Sequence, residues 1–185
     1  MANSSRSATP SSSTPPDWLT SSVVDIADFP KPGIMFKDLS PLWASSADTS
    51  RCAVALAANA PAVDAVVGIE ARGFLAGLVT AQRLGVGFVA ARKPGKLPGP
   101  IHSVSYDLEY GSDTLELQTG ALDADMKVMV VDDVIATGGT LAAACELVEQ
   151  TGASVVAVRC ILELSALGGR DRLGGRDVHA LWELA

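Results

Sequence analysis

The sequence predicts an α/β fold in which a mostly parallel sheet is covered by helices on both faces. Residues 63–69 and 127–133 contain continuous apolar runs rather than an alternation, as strands buried on both faces do. Helical segments of about 10 to 15 residues separate such strands, which is typical of crossovers between parallel strands. Ligands bind such sheets at the carboxyl ends of the strands, so we expect a functional site after Ile69, Ala91 and Val131.

Residues 1–16 are predicted to be a flexible tail and residues 17–185 a single domain. The tail is almost entirely Ser, Thr, Pro and Ala, a composition that cannot bury enough apolar area to order itself. A Ser-rich transit peptide is the alternative, but one arginine and the lack of an amphipathic period disfavour it.

The first half of the domain opens with an expected short helix and then a loop that two prolines and Gly33 keep irregular. An alanine-rich stretch and the segment that follows the first buried strand both suit helices. In order, this half comprises helix 18–28, loop 29–38, helix 51–60, strand 63–69, helix 74–84 and strand 86–91.

In the second half, glycines and prolines keep residues 92–100 in a loop. Residues 103–117 alternate polar with weakly apolar positions, which predicts a mobile, exposed ribbon of two strands. The elements are strand 104–108, strand 114–118, strand 127–133, helix 137–150, strand 154–162 and strand 178–184.

Composition excludes several classes of protein. No apolar run approaches the roughly 20 residues that cross a bilayer. A net charge of -7 disfavours a protein that works on nucleic acid or anionic lipid. The cysteines are Cys52, Cys145 and Cys160, far apart and odd in number, which indicates buried thiols in a reducing compartment. With no apolar signal segment at the start, we expect a cytoplasmic protein.

The strongest motif is VMVVDDVIATGGT, residues 128–140. A buried strand delivers Asp132 and Asp133 to the sheet edge, and a segment of small and hydroxyl residues then opens a helix. Its two glycines let backbone N–H groups converge on a phosphate, and the helix N-terminus adds partial positive charge. The two carboxylates can accept hydrogen bonds from ribose hydroxyls, so the motif predicts a site for a ribose 5-phosphate. The alternative is a helix capped by Thr137.

This motif resembles the phosphoribosyl pyrophosphate motif of the type I phosphoribosyltransferases. The segments FPKPGIMFKDLSP, GIEARGFLAG, ARKPGKLPGP and SYDLEYG together are similar to the adenine phosphoribosyltransferases of that family, in the right order from Asp17 onward. The resemblance implies a Rossmann-like, mostly parallel sheet flanked by helices, with a small hood and a flexible lid ribbon. It also implies purine salvage: adenine and phosphoribosyl pyrophosphate give AMP and pyrophosphate, with Mg²⁺ held mainly by the substrate and water.

The resemblance assigns the phosphoribosyl pyrophosphate site to a set of loop residues: Arg72, Arg92, Lys93, Lys96, Asp132, Asp133, Ala136, Thr137, Gly138, Gly139 and Thr140. Arg72, at the end of a strand, suits a bidentate phosphate contact, and the alternative is an ion pair with Glu70 or another acid. The family also tends to hold a cis peptide here, which would be Glu70–Ala71.

Arg92, Lys93 and Lys96 place three cations on one loop of an acidic protein, which suits a pyrophosphate. The alternative is a solvated loop. In relatives this loop can be contributed across a dimer interface, so the resemblance implies a homodimer.

The apolar residues Ile34, Met35 and Phe36 are candidates for one wall of an adenine pocket, with backbone groups near Met35 and Lys37 reading the purine edge. By resemblance, Leu164 packs on the other face of the base. For Met35, Phe36 and Leu164 the alternative is ordinary core. Lys37 stands where relatives often carry arginine, so it lacks that residue's planar fork.

The catalytic candidates are Glu109 and Tyr110, which the resemblance places at the tip of the lid. A carboxylate there can take the proton that leaves N9 of adenine. The alternative is a surface glutamate. His102 and His179 are isolated and are expected to be structural.

Two rival functions follow from the same motifs. One is the same reaction on another base, such as hypoxanthine, xanthine or orotate. The other is a non-catalytic sensor of phosphoribosyl pyrophosphate, since the fold also serves in transcriptional regulators. The net charge and a tail too short for a DNA-binding helix-turn-helix disfavour the sensor.

Overall fold

The structure, a computed structural model, describes residues 15–108 and 111–185. The helices are α1 (Asp17–Thr20), α2 (Ser40–Ala44), α3 (Ser46–Ala57), α4 (Gly73–Leu84) and α5 (Gly139–Gln150). The strands are β1 (Val24–Ala27), β2 (Met35–Asp38), β3 (Ala65–Ile69), β4 (Gly87–Ala91), β5 (Ile101–Leu108), β6 (Gly111–Gln118), β7 (Lys127–Ile135), β8 (Ser154–Leu164) and β9 (Val178–Leu184). Two 3-10 turns, Ser165–Leu167 and Gly169–Leu173, follow β8.

The predicted parallel sheet is confirmed, with strand order β4-β3-β7-β8-β9 and every neighbouring pair parallel. Successive residues of its central strands face opposite sides. Val67 and Val130 pack in the core beneath α5, whereas Val66 and Met129 pack against α3 and α4. Burial on both faces is why these strands are uniformly apolar.

Helix α4 packs unusually close to β3, and this sets where its first turn lies. A Cβ atom on Gly77 would lie 3.0 Å from Gly68 Cα, and one on Gly68 would lie 2.6 Å from the Phe88 ring. Only glycine at both positions permits this approach. The N-terminus of α4 is therefore fixed at the carboxyl edge of the sheet, beside the end of β7.

The helix predicted over residues 18–28 is wrong beyond its first turn. After α1, strand β1 pairs antiparallel with β2, which lies in the stretch predicted as loop. The pairing sets Ile26 opposite Phe36 and Asp25 opposite Lys37. These apolar and opposite-charge pairs across the ribbon outweigh the weak helical pattern. We call the β1–β2 ribbon the hood.

Helix boundaries differ from the prediction elsewhere in the first half. Helix α2 was not predicted, and α3 begins at Ser46 rather than residue 51 because the Ser45 side chain accepts a hydrogen bond from the Asp48 N–H at 3.2 Å.

The predicted two-strand ribbon exists as the β5–β6 hairpin, a separate antiparallel pair. Its predicted exposure is wrong at the base, where Leu115 and Leu117 are fully buried and Val104 is nearly so. Those side chains join the core under α5, so the base of the hairpin is anchored to the domain.

In residues 15–108 and 111–185 no helix combines the length and apolar character needed to cross a membrane.

Candidate active site

A cavity of about 350 Å³ opens at the carboxyl ends of β3 and β7, where the sequence predicts the site. The hood forms one side and the start of α5 another. The predicted site residues that line it are Met35, Phe36, Lys37, Arg72, Lys93, Asp132, Asp133, Ala136, Thr140 and Leu164. Arg92 and Lys96 do not line it. Ile34, predicted as part of the apolar wall, also lines it, and so does Val134, which the sequence analysis did not single out.

The phosphate loop, residues 136–140, shapes a second and smaller cavity of about 70 Å³ beside Asp132. Thr137 and Gly138 line this cavity, and α5 begins at Gly139. Gly138 sits at the N-cap with φ of 78°, and no side chain caps the helix. The reading of Thr137 as the helix cap is therefore wrong. The first N–H groups of α5 lack side-chain caps and so suit an anion.

Gly169 supports the phosphate loop, a role that sequence reasoning missed. A Cβ atom on Gly138 would lie 2.1 Å from Gly169 O, and one on Gly169 would lie 2.1 Å from Ala136 O. The loop thus rests on the backbone of the turn after β8. The doublet Gly168–Gly169 was the available signal, but a doublet alone does not reveal which backbone it packs against.

The two aspartates lie inside β7, which runs to Ile135 and so extends past the predicted end at residue 133. The side chain of Asp132 accepts a hydrogen bond from the Asp133 N–H at 2.9 Å, and Asp133 is only 3% exposed. Burial raises the pKa of both carboxyls, and the neighbouring charge raises that of Asp132 further. These two adjacent carboxylates receive few hydrogen bonds from the described residues, so they can accept hydrogen bonds from a ligand.

Arg72, the residue before α4, is engaged by an acid, as the alternative interpretation anticipates. Its Nε lies 2.8 Å from Asp133 Oδ2. The contact is an ion pair whose geometry is not that of a hydrogen bond. The buried Asp133 Oδ2 therefore has no hydrogen-bond partner among the described residues. The Arg72 guanidinium lies 5.0 Å from the centre of the Phe36 ring, and the side chain is 48% exposed. The Glu70–Ala71 peptide is cis, as the resemblance implies.

The basic loop, residues 92–100, is held by Glu70. The Glu70 carboxylate accepts hydrogen bonds from Arg92 Nε and Nη2, each at 3.2 Å, and from the Lys93 N–H at 2.9 Å. The Arg92 side chain, followed by the Lys93 N–H, holds the pKa of Glu70 below its ordinary value. Arg92 is thereby turned to Glu70, while Lys96 is exposed. Glu70 also lines the cavity and was considered in the sequence only as a partner for Arg72.

Lys93 connects the cavity to the hairpin. Its Nζ pairs with the Asp113 carboxylate and donates to Tyr106 Oη at 2.9 Å. The Thr140 hydroxyl also donates to Tyr106 Oη, at 3.4 Å. Sequence reasoning missed Tyr106 and Asp113 because nothing in a polar strand marks which side chains turn toward the phosphate loop.

The residues predicted to bind the purine base all contribute to the lining of this cavity, among them Met35, Phe36, Lys37 and Leu164. Met35 is 53% exposed, which excludes an ordinary core role for it. The Phe36 ring is braced edge-on by Phe29, with centroids 5.0 Å apart, and Lys37 Nζ lies 2.6 Å from Asp25 Oδ1. Leu164 ends β8, half-buried.

The predicted catalytic residues Glu109 and Tyr110 lie outside the described residues. In the described part of the chain, no group of three His, Cys, Asp or Glu side chains is placed to hold a metal ion.

Comparison with known proteins identifies relatives of the whole domain. The family model for the phosphoribosyl transferase domain matches residues 54–174. The adenine phosphoribosyltransferase of Kineococcus radiotolerans is 54% identical over 159 residues, which cover 85% of this chain and 86% of that protein. The crystal structure of the adenine phosphoribosyltransferase of Thermoanaerobacter pseudethanolicus superposes with a TM-score of 0.86 at 42% identity, covering 90% of this chain and 98% of the other.

A further solved structure comes from Saccharomyces cerevisiae, an adenine phosphoribosyltransferase complexed with adenine and an imino-altritol bisphosphate. It superposes with a TM-score of 0.83 at 41% identity and covers 88% of this chain and 96% of its own. The identities, the coverage and the matched domain agree with the site geometry, and the chain belongs to the phosphoribosyltransferase family, among its adenine phosphoribosyltransferases.

Proposed function

We propose that this chain transfers the 5-phosphoribosyl group from phosphoribosyl pyrophosphate to adenine, giving AMP and pyrophosphate, a reaction of purine salvage. The observation that carries the proposal is that adjoining cavities bring together a carboxylate pair, a phosphate loop and an apolar wall. These match the ribose, the phosphate and the base of AMP. Relatives that are adenine phosphoribosyltransferases support the choice of base.

The ribose 5-phosphate is bound by the carboxyl end of β7 and the start of α5. The phosphate lies against the backbone N–H groups of the phosphate loop, where Thr137 and Thr140 add hydroxyl donors. The carboxylates of Asp132 and Asp133 accept hydrogen bonds from the ribose hydroxyls, which compensates for their burial. Because these groups lie on the rigid sheet and helix, they hold C1′ in a fixed position.

The pyrophosphate leaves from C1′ toward the positively charged side of the cavity. Arg72 and Lys93 line this side, and both carry charges that stabilise the negative charge on the leaving group as the C1′–O bond breaks. The reaction is a dissociative displacement in which adenine N9 bonds to C1′ from the opposite face. Both cations are paired with acids of this chain, so they exchange carboxylate partners for phosphate oxygens on binding.

Adenine lies between the hood and the end of β8. Met35 and Phe36 on one side and Leu164 on the other offer apolar surface to the faces of the base. Backbone groups of the hood near Met35 and Lys37 read the purine edge. The Lys37 ammonium is turned across the ribbon to Asp25.

Glu109 takes the proton that adenine N9 loses, with Tyr110 beside it, as the hairpin closes over the site. Exclusion of water by the closed lid protects the cation-like C1′ centre from hydrolysis.

Mg²⁺ fits this site as a partner of the substrate rather than of a protein cage. The described residues offer no cluster of three ligands, and Mg²⁺ readily keeps its waters and binds substrate phosphates. The buried Asp133 Oδ2 accepts no hydrogen bond from the described part of the chain and is an acceptor suited to metal-bound water. When bound, the metal adds positive charge beside the departing pyrophosphate.

A homodimer is the proposed assembly. Exposed Lys96 belongs to the basic loop yet does not line the cavity of its own chain, which supports a contribution across an interface.

We place the reaction in the cytoplasm, because free thiols are typical of proteins in a reducing compartment. The cysteines Cys52, Cys145 and Cys160 are all free and buried. Burial raises the pKa of Cys52 to about 12 and that of Cys145 to about 11, so these thiols stay protonated and inert.

The test is turnover with adenine, hypoxanthine and guanine, each with phosphoribosyl pyrophosphate, in the presence of Mg²⁺ and after chelation. We expect AMP from adenine only when Mg²⁺ is present, and poor turnover of both 6-oxopurines. Equal or faster turnover of a 6-oxopurine would overturn the assignment of the base.

A further inference from the structure

The Lys93 ammonium has an anionic partner within its own chain. It lines the cavity, yet its Nζ is paired with Asp113 of the hairpin and lies 5.5 Å from the centre of the Tyr106 ring. The pair is partly shielded, with side chains 34% and 29% exposed for Lys93 and Asp113. A ligand anion that uses Lys93 must therefore compete with a carboxylate of the same chain.

Asp113 is fixed where it is by three contacts. It stands directly opposite Tyr106 in the β5–β6 register, and the Tyr106 hydroxyl donates to Asp113 Oδ2 at 3.2 Å. The other oxygen, Oδ1, accepts from the Thr114 N–H at 2.7 Å. Although burial opposes it, the Lys93 ammonium holds the pKa of Asp113 below its ordinary value, so the carboxylate is charged at neutral pH.

Tyr106 joins this pair to the phosphate loop. Its hydroxyl contacts Lys93, Asp113 and Thr140 at once. The hairpin is therefore held against the cavity by a cluster that meets at the Tyr106 hydroxyl. This cluster includes the Lys93 ammonium, which lines the cavity.

We propose that Asp113 is a positioning residue that competes with pyrophosphate for Lys93 and so weakens the hold of the site on its leaving group. This inference rests on the proposed function. Pyrophosphate carries several negative charges and displaces the single charge of Asp113 from the ammonium. Displacement also releases the Asp113 end of β6 from Lys93, while Leu115 and Leu117 keep the base of the strand in the core. When pyrophosphate departs, Asp113 returns to Lys93, which favours release of the product.

The decisive experiment measures the dissociation constants of pyrophosphate and of AMP, each with Mg²⁺, by calorimetry on the native chain and on Asp113→Asn. Asparagine keeps the shape of the side chain and removes its charge. We expect pyrophosphate to bind about 1.5- to 5-fold more tightly, the range for losing one partly exposed ion pair, and AMP to bind as before. AMP is the matched ligand because it occupies the phosphate loop without a pyrophosphate group.

Asp123→Asn is the matched control variant. Asp123 is exposed in the turn before β7, at the end of the sheet opposite the cavity. Its substitution therefore removes the same charge without affecting Lys93. Both affinities should stay at their native values there.

Unchanged or weaker pyrophosphate binding in a folded Asp113→Asn chain would overturn the proposal, as would equal tightening of AMP. Failure of the proposed function looks different, because the native chain itself would then not convert adenine to AMP, whatever Asp113→Asn does to pyrophosphate binding.

Discussion

The carboxylates of Asp132 and Asp133 stand side by side where burial disfavours charge on either of them. The Arg72 guanidinium opposes this rise at both carboxyls, and it forms a direct ion pair with Asp133. For an acid whose folded pKa lies above the unfolded value, the folded state binds the proton more tightly. The folded protein therefore loses stability as the pH rises from the ordinary value through the raised one, and it is destabilised at neutral pH.

Asp132→Asn should accordingly stabilise the ligand-free chain at pH 7. The expected gain is about 1 kcal/mol, which raises the Tm by roughly 2–4 °C in a chain of this size. The gain should shrink as the pH falls toward 4, where the native carboxyl is protonated. Thermal unfolding against pH checks this, with Asp123→Asn as a control that should not change the Tm. A lower Tm for Asp132→Asn at pH 7 would contradict the account.

Gly169 is a second residue whose identity is set by the site. Alanine there would place a Cβ atom 2.1 Å from Ala136 O, so the phosphate loop must move. We expect Gly169→Ala to cost about 1–3 kcal/mol in the free energy of unfolding and to raise the KM for phosphoribosyl pyrophosphate. Gly87→Ala is the matched control, because no atom lies within 4 Å of its Cβ position. Equal effects of the two variants in urea unfolding and kinetics would refute the assignment.

At the scale of elements, the proposed reaction requires the hairpin to close over the site, while the phosphate loop lies between β7 and α5. Glu109→Gln removes the proposed proton acceptor from the hairpin but keeps its shape. We expect kcat to fall by about 10²–10⁴-fold, with the KM for phosphoribosyl pyrophosphate nearly unchanged. Steady-state kinetics measure both. If kcat is unchanged and single-turnover chemistry is also normal, Glu109 has no role in proton transfer.

The elements that the sequence predicted well are those whose burial imposes a pattern. Strands β3 and β7 are apolar because both faces are covered, and the helix after each is bounded by glycine, so the sheet and the phosphate loop were predictable. The resemblance implied a hood, but its two strands were not predictable, because β1 is four exposed residues whose pairing with β2 depends on contacts 12 residues away, such as that between Asp25 and Lys37.

The sequence predicted which residues lie at the candidate site, but not which side chains pair with its cations. Asp132, Asp133 and the phosphate loop lie where the motif places them. The acids that hold the cations were missed, because Glu70 and Asp113 reach Arg92 and Lys93 across about 20 residues of intervening chain. A local pattern carries no information on such distant pairs.

At the scale of the whole molecule, an acidic chain places Arg72, Arg92 and Lys93 at one end of its sheet and pairs each of them with one of its own acids. Lys96 is the exposed cation of the basic loop that does not line the cavity. If it serves a second subunit, mixing Lys96→Ala chains with Asp132→Asn/Asp133→Asn chains should restore activity. Random pairing makes one site in four intact, so roughly a quarter of native activity is expected, while each variant alone stays low. A fully active monomer in sedimentation, or no gain on mixing, would exclude a shared site.

The central claim is that the carboxylate pair at the end of β7 holds the ribose. The most direct test is the dissociation constant of phosphoribosyl pyrophosphate for the native chain and for the Asp132→Asn/Asp133→Asn chain, with the Tm measured alongside. Each lost charge-assisted hydrogen bond contributes about 1.5–3 kcal/mol, so binding should weaken by at least about 100-fold while the chain stays folded. Binding within a few-fold of native in a folded double variant would contradict the claim.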